Sequence, residues 1–320
     1  MTRAVAAFVA CLVLGLALYP ALIGALARRR AAQRVSEHVP QAHLRKVGTP
    51  TMGGLLFCAL AIAAWLALDR SRGGFLIAFA VAAGALIGAL DDVTNIRGQL
   101  ALGILPSQKL AVQGVVGLLL GIGLHASHYT REVFPGLGTP DLGWLIVPLA
   151  MLAVVATSNA VNLTDGVDGL AASCGAIALI TTWGLAAHAG NRPVAIACAA
   201  MGGGVLAFLA YNWWPARVFM GDTGSLALGS GLAVATAEAG LLWLLPLLGV
   251  VFLAETLSVI INVTAIRRYG RRVFRASPLH HHFEEMGLRE QRLVLCFAGA
   301  GVVGALLTCL VALRNGMVVA

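Results

Sequence analysis

The chain has 320 residues, 59% hydrophobic and only 11% charged, with a mean hydropathy of +0.87 and a formal net charge of +8. These values exclude an ordinary soluble globular protein and fit an all-α, polytopic membrane bundle in one domain, residues 1–320. No basic soluble segment stands apart to bind nucleic acid, so the positive charge is expected to meet membrane lipid headgroups or an anionic substrate.

Ten apolar segments follow in order, at about 4–27, 52–69, 74–90, 107–124, 143–158, 169–188, 193–211, 223–239, 241–266 and 292–313. The first is longer than the core of a signal peptide and runs into Arg28, Arg29 and Arg30, so it reads as a retained span. Numbering the connections alternately puts 16 of the 22 Lys and Arg residues on one side, chiefly in 28–46 and 267–292. Arg3, Arg70, Arg72, Arg131, Arg192 and Arg314 fall on the other. The basic side is expected to be cytoplasmic, with both termini outside. The longest outward connection, 125–143, contains Pro135, Gly136, Gly138 and Pro140 and predicts a turn or small hairpin. The six cysteines lie singly inside apolar runs and read as packing residues.

Every dense polar motif falls on the basic side. Lys46 to Gly54, KVGTPTMGG, puts a cation, two hydroxyls and three glycines at a helix start. Such a start receives phosphate through its free N–H groups, although a plain capped helix looks much the same. Asp91 and Asp92 close the third segment as adjacent carboxylates, costly at a membrane unless solvated or paired. Lys109 opens the fourth, where a snorkelling flank residue is the simpler reading.

At the midpoint stands Asn159 to Ala171, NAVNLTDGVDGLA, a polar island between two spans. Gly166 and Gly169 predict a turn in which Asp165 and Asp168 converge. The ligand pattern of a calcium-binding EF-hand is missing. Phe219 to Ser225, FMGDTGS, offers Asp222 either as a helix cap or as a Mg²⁺ ligand, since that ion takes one or two carboxylates with water and phosphate oxygens. Ser277 to Glu284, SPLHHHFE, carries three successive histidines. On a helix they would point roughly 100° apart and could not share one metal, so anion binding is the better use. Carboxylates, Lys, His and glycine turns at one face of a bundle suit phosphoryl transfer to a lipid.

These five motifs, in this order and over about residues 44–290, resemble the phospho-N-acetylmuramoyl-pentapeptide transferases of the polyprenyl-phosphate N-acetylhexosamine-1-phosphate transferase superfamily. The triple histidine with Phe283 and Glu284 is the most specific part. The resemblance implies transfer of phospho-MurNAc-pentapeptide from UDP-MurNAc-pentapeptide to undecaprenyl phosphate with Mg²⁺, giving lipid I and UMP. It implies a multi-pass protein of the bacterial inner membrane with its active site facing the cytoplasm, a broken ninth span beside an isoprenoid groove, and often a homodimer.

Carried over by motif position, Asp222 resembles the metal ligand, and Asp91 and Asp92 the pair acting at the lipid phosphate, with Asp91 as general base for a direct attack; an aspartyl nucleophile forming a covalent intermediate is the family's alternative. The same resemblance makes Asn162, Asp165, Gly166, Asp168 and Ser225 pocket residues, Phe219 the aromatic that stacks on uracil, and Lys46 and Thr51 contacts near the nucleotide. Lys109, His280, His281 and His282 resemble phosphate-side residues. One departure is Asn95, where the family commonly has Lys, so that charge is missing or comes from Arg97 or Lys109. Two other readings remain: a relative using UDP-GlcNAc, and an ion-coupled transporter, whose carboxylates should sit near the bilayer midplane.

Overall fold

The computed structural model describes residues 1–29, 48–97 and 104–315. Among these residues the elements are helices, as a lipid setting favours: a helix satisfies its own backbone N–H and C=O groups where water is absent. In chain order they are α1 (Thr2–Arg28), α2 (Gly54–Leu68), α3 (Arg72–Arg97), α4 (Pro106–Ala126), α5 (Ile146–Thr164) and α6 (Leu170–His188). There follow α7 (Arg192–Asn212), α8 (Gly221–Glu238), α9 (Leu245–Leu248), α10 (Val250–Tyr269), α11 (Leu279–Glu285) and α12 (Glu290–Arg314).

Local chemistry sets several boundaries. Pro106 occupies the first turn of α4, where its missing N–H costs nothing. The Asn191 side chain caps α7 by accepting from the Val194 N–H at 3.3 Å. Gly270 closes α10 in the left-handed region, φ +65°, open to glycine without a Cβ penalty.

Among the described residues eight helices are long and apolar enough to cross a membrane: α1, α3, α4, α5 with the turn before it, α6, α7, α10 and α12. Two of the ten expected segments fall short for different reasons. The second forms a helix of only 15 residues, α2. The eighth, α8, is rich in Gly, Ser and Thr, and every residue from Thr223 to Glu238 is buried. A helix enclosed by protein needs no apolar surface for lipid. The expected ninth span is broken as the resemblance implies: a 3-10 turn at Leu242–Leu244 and α9 precede a break at Gly249, and α10 starts afresh.

Neighbouring helices grip α8 at bare backbone. A Cβ on Gly54 of α2 would stand 2.1 Å from Gly224 Cα, and one on Gly88 of α3 2.1 Å from the Asp222 carbonyl oxygen. Only glycine permits such approach, the usual device for close helix contact in membranes.

Contacts sort the connections onto two ends of the bundle. At one end Arg3 donates to the Leu68 carbonyl, Val133 to Gly240, Asn191 to Glu238, and Gly136 to the Asn315 side chain. Both ends of the described chain therefore lie with the 131–141 hairpin, which closes through antiparallel bridges Arg131–Asp141 and Phe134–Gly138. The polar motifs gather at the opposite end.

Candidate active site

The site is built around the first turn of α8. Asp222 is its second residue, placed where a negative charge meets the positive end of the helix dipole. The Asn162 amide, from the last turn of α5, donates to Asp222 Oδ1 at 2.7 Å and to Ser225 Oγ at 2.9 Å. From the first turn of α4, the Lys109 ammonium contacts Asp222 Oδ2 and lies 3.2 Å from Asp91 Oδ2. Asp91, near the end of α3, also accepts from the Ile104 N–H at 2.7 Å. Four helices thus bring Asp91, Lys109, Asn162, Asp222 and Ser225 into one half-buried pocket. Lys109 is a cation in this pocket, Asn95 is exposed, and the Arg97 side chain lies outside the described residues.

Asp92 faces away from this pocket. Its Oδ1 accepts from the Asp222 N–H at 3.1 Å, and its Oδ2 from the Thr223 N–H and hydroxyl at 2.9 and 2.6 Å. These N–H groups have no partner within α8, so Asp92 serves as the helix cap, supplied from α3. The two adjacent carboxylates therefore do different work.

The segment before α8 lies along the 50–54 strand of chain. Phe219 N–H donates to Pro50, Gly53 N–H to Phe219 and Gly54 N–H to Met220, at 2.8, 2.8 and 3.0 Å. This pairing sets half-buried Phe219 beside the KVGTPTMGG motif. Thr51 is buried, its hydroxyl 2.8 Å from where a Gly221 Cβ would stand. Gly221 has φ +73°, a second reason for glycine there. Lys46, in the same motif, lies outside the described residues.

The island forms the expected turn. Asp165 ends α5, and Gly169, with φ +82°, begins α6. Asp168 is buried and accepts from the Ala216 N–H at 2.9 Å, tying the turn to the connection after α7. Asn212 adds a second tie, accepting from Gly169 N–H and donating to the Val218 carbonyl, both at 2.9 Å.

The three histidines take separate partners, as their angular spread requires. His281 Nδ1 lies 2.7 Å from Glu284 Oε2, and His282 Nδ1 accepts from the Arg275 N–H at 3.2 Å. His280 is only 1% exposed and packs under Gly166, whose Cβ would stand 2.4 Å from His280 Nε2. Behind it is Glu255 of α10, a residue the motifs did not single out, with a carboxylate oxygen 3.2 Å from His280 Nδ1. Its signal in the sequence is plain afterwards: one carboxylate inside an apolar helix, VVFLAETLSVII.

The donor set bears on metal binding. Asp91 and Asp222 direct hard oxygens at one point, where Lys109 now sits. Two carboxylates suit Mg²⁺, which completes its octahedron with water and substrate phosphate oxygens. Among the described residues no three His, Cys, Asp or Glu side chains gather into an all-protein metal cage.

Comparison with known proteins gives a consistent picture. Residues 74–240 match the model of glycosyl transferase family 4, and residues 46–58 match phospho-N-acetylmuramoyl-pentapeptide-transferase signature 1. The chain is 42% identical over 319 residues to the phospho-N-acetylmuramoyl-pentapeptide-transferase of Desulforudis audaxviator, covering 94% of each protein. It is 41% identical over 323 residues to that of Heliobacterium modesticaldum, covering 98% of this chain and 99% of the other. With the Geobacillus thermodenitrificans protein it shares 40% over 297 residues, 91% of this chain and 92% of that one.

Proposed function

The chain belongs to glycosyl transferase family 4, among its phospho-N-acetylmuramoyl-pentapeptide transferases, and on that premise we propose how its pocket carries out the transfer. The reaction moves phospho-MurNAc-pentapeptide from UDP-MurNAc-pentapeptide to undecaprenyl phosphate and forms lipid I and UMP. An oxygen of the lipid phosphate attacks the β-phosphorus of the donor. The bond from that phosphorus to the bridging oxygen breaks, and UMP departs with the electron pair.

The observation that carries this reading is the convergence of Asp91, Lys109, Asn162 and Asp222 at one end of the bundle. Phosphoryl transfer depends mostly on positioning and on charges aimed at the reacting oxygens, and this pocket offers both signs. A transporter site belongs near the midplane, whereas Asp91 and Asp222 stand at helix ends.

Asp91 is assigned as the base that takes the proton of the lipid phosphate, its orientation set by the Ile104 N–H. Lys109 neutralises Asp91 and Asp222 at rest and turns to the phosphates when they arrive. Asn162 fixes the Asp222 carboxylate. Asp222, with Asp91 beside it, would hold Mg²⁺; when bound, the ion supplies Lewis-acid polarisation of the phosphoryl oxygens. The island turn forms the nucleotide side, with Phe219 stacking on uracil beside Thr51. The basic connections support a position for this end at the cytoplasmic face of the inner membrane, where a UDP-linked donor is available.

Purified protein is expected to release UMP from UDP-MurNAc-pentapeptide in the presence of undecaprenyl phosphate and Mg²⁺, and not after chelation. Preference for UDP-GlcNAc would overturn the donor assignment. Turnover at the native rate by Asp222→Ala would remove the metal role.

A further inference from the structure

Glu255 lies in α10, fully buried, where a carboxylate is costly unless something holds it. What it meets is the start of α11. Pro278 precedes that helix and offers no side-chain cap, which leaves the first amides of α11 to find partners elsewhere. The His280 N–H points between the two carboxylate oxygens, 3.2 Å from each. The His280 ring lies along the same carboxylate with Nδ1 3.2 Å from Oε1, a close contact whose angle falls short of a directed hydrogen bond. A carboxylate on that edge favours the proton on Nδ1.

The other edge of the ring reaches the island. Nε2 is the atom nearest to the position of a Cβ added at Gly166, at 2.4 Å, with Cε1 next at 2.9 Å. The ring is therefore clamped between Glu255 and backbone that begins immediately after Asp165. Two residues further on, Asp168 anchors the same turn to Ala216.

We propose that Glu255 is a positioning residue for the transfer reaction: it holds His280 and the start of α11 against Gly166, and so sets the turn, anchored by Asp168, that presents Asp165 to the nucleotide. This rests on the transferase reading above. Glu255→Gln is the informative change. Its carbonyl can still accept one hydrogen bond, but its NH₂ group faces the His280 N–H or the Nδ1 proton, donor against donor.

The test compares wild type, Glu255→Gln, Glu255→Asp, His280→Asn and the Glu255→Gln/His280→Asn double variant, each purified and monodisperse, by initial rates of UMP release with both substrates varied. Glu255→Gln is expected to lower kcat/KM for the UDP donor by about 10- to 100-fold, the scale found when the partner that orients a metal-bound histidine is removed. KM for undecaprenyl phosphate stays unchanged. Glu255→Asp, which keeps the charge, recovers part of the loss, and the double variant is no worse than His280→Asn alone.

A purely structural role would reduce the active fraction, lowering kcat and leaving both KM values alone; that result overturns the proposal. So does a wild-type donor kcat/KM in Glu255→Gln, or additive losses in the double variant. If Glu255→Gln is not monodisperse, a fall in donor kcat/KM carried by a raised donor KM is required of Glu255→Asp. Wild type that releases no UMP would defeat the transferase reading and the proposal together, an outcome distinct from an active wild type with an unaffected Glu255→Gln.

Discussion

Asp92 holds Thr223 by two hydrogen bonds to a single oxygen, one from its backbone N–H and one from its hydroxyl, although 131 positions separate the two residues. The cap of the central helix is thus a side chain from another helix. Asp92→Ala is expected to destabilise the protein by about 1–3 kcal/mol, since it removes a cap and leaves buried donors unpaired. Asp91→Ala should instead abolish turnover with little loss of thermal stability. Melting curves and UMP release on both variants check the division; an Asp92→Ala protein as stable as wild type would refute it.

Lys109 stands between two carboxylates, and its removal leaves like charges facing each other. Lys109→Gln is expected to lower kcat about 100-fold, the scale seen when a group that stabilises developing charge is lost. The Mg²⁺ concentration for half-maximal rate should not rise, because no competing cation then occupies the site. A Mg²⁺ titration of the variant measures both effects, and a large rise in the metal requirement would place Lys109 on a different task.

Gly88 admits the α8 backbone where any side chain would collide with it. Gly88→Ala is expected to cost about 1–3 kcal/mol through overpacking and to shift Asp222 away from Lys109. Both a lower melting temperature and reduced turnover should appear. Retention of either at the wild-type level would mean that α3 and α8 separate more easily than their contact implies.

Glu132, in the hairpin at the far end, is fully buried; burial pushes its carboxyl up to about 9, and only the Leu242 N–H, 2.7 Å from Oε2, opposes the shift. The folded protein keeps this proton to about pH 9, while the unfolded chain releases it near the ordinary value of 4.5. Its contribution is therefore complete below about pH 4.5 and falls as pH rises towards 9. Glu132→Gln should flatten that part of the stability profile and raise stability at neutral pH, as read from melting curves across the range.

The apolar segments were legible because lipid-facing helices leave their composition in the sequence, and α1 and α12 are clear cases. The polar motifs were legible because carboxylates and glycines interrupt such runs. Roles were harder to read. Asp91 and Asp92 are chemically identical neighbours, and only the position of α8 separates the one that meets Lys109 from the one that caps the helix. Glu255 was passed over because it stands alone in α10, its partner supplied by a segment 25 residues later. Asn212 lies outside the polar motifs, and only the folded chain brings it to the island, where it joins Gly169 to Val218 from the end of α7.

The enclosure of α8 has a consequence for how the protein is made. A segment reading GDTGSLALGSGLAVATAE carries too little hydrophobic driving force to partition into lipid alone. Its insertion must wait for α3 and α5 to offer glycine-lined and hydroxyl-lined surfaces, so the part of the chain that carries Asp222 enters the bilayer as a guest of helices already there. Substitutions that weaken those surfaces would then reduce the yield of inserted protein before they touch its chemistry.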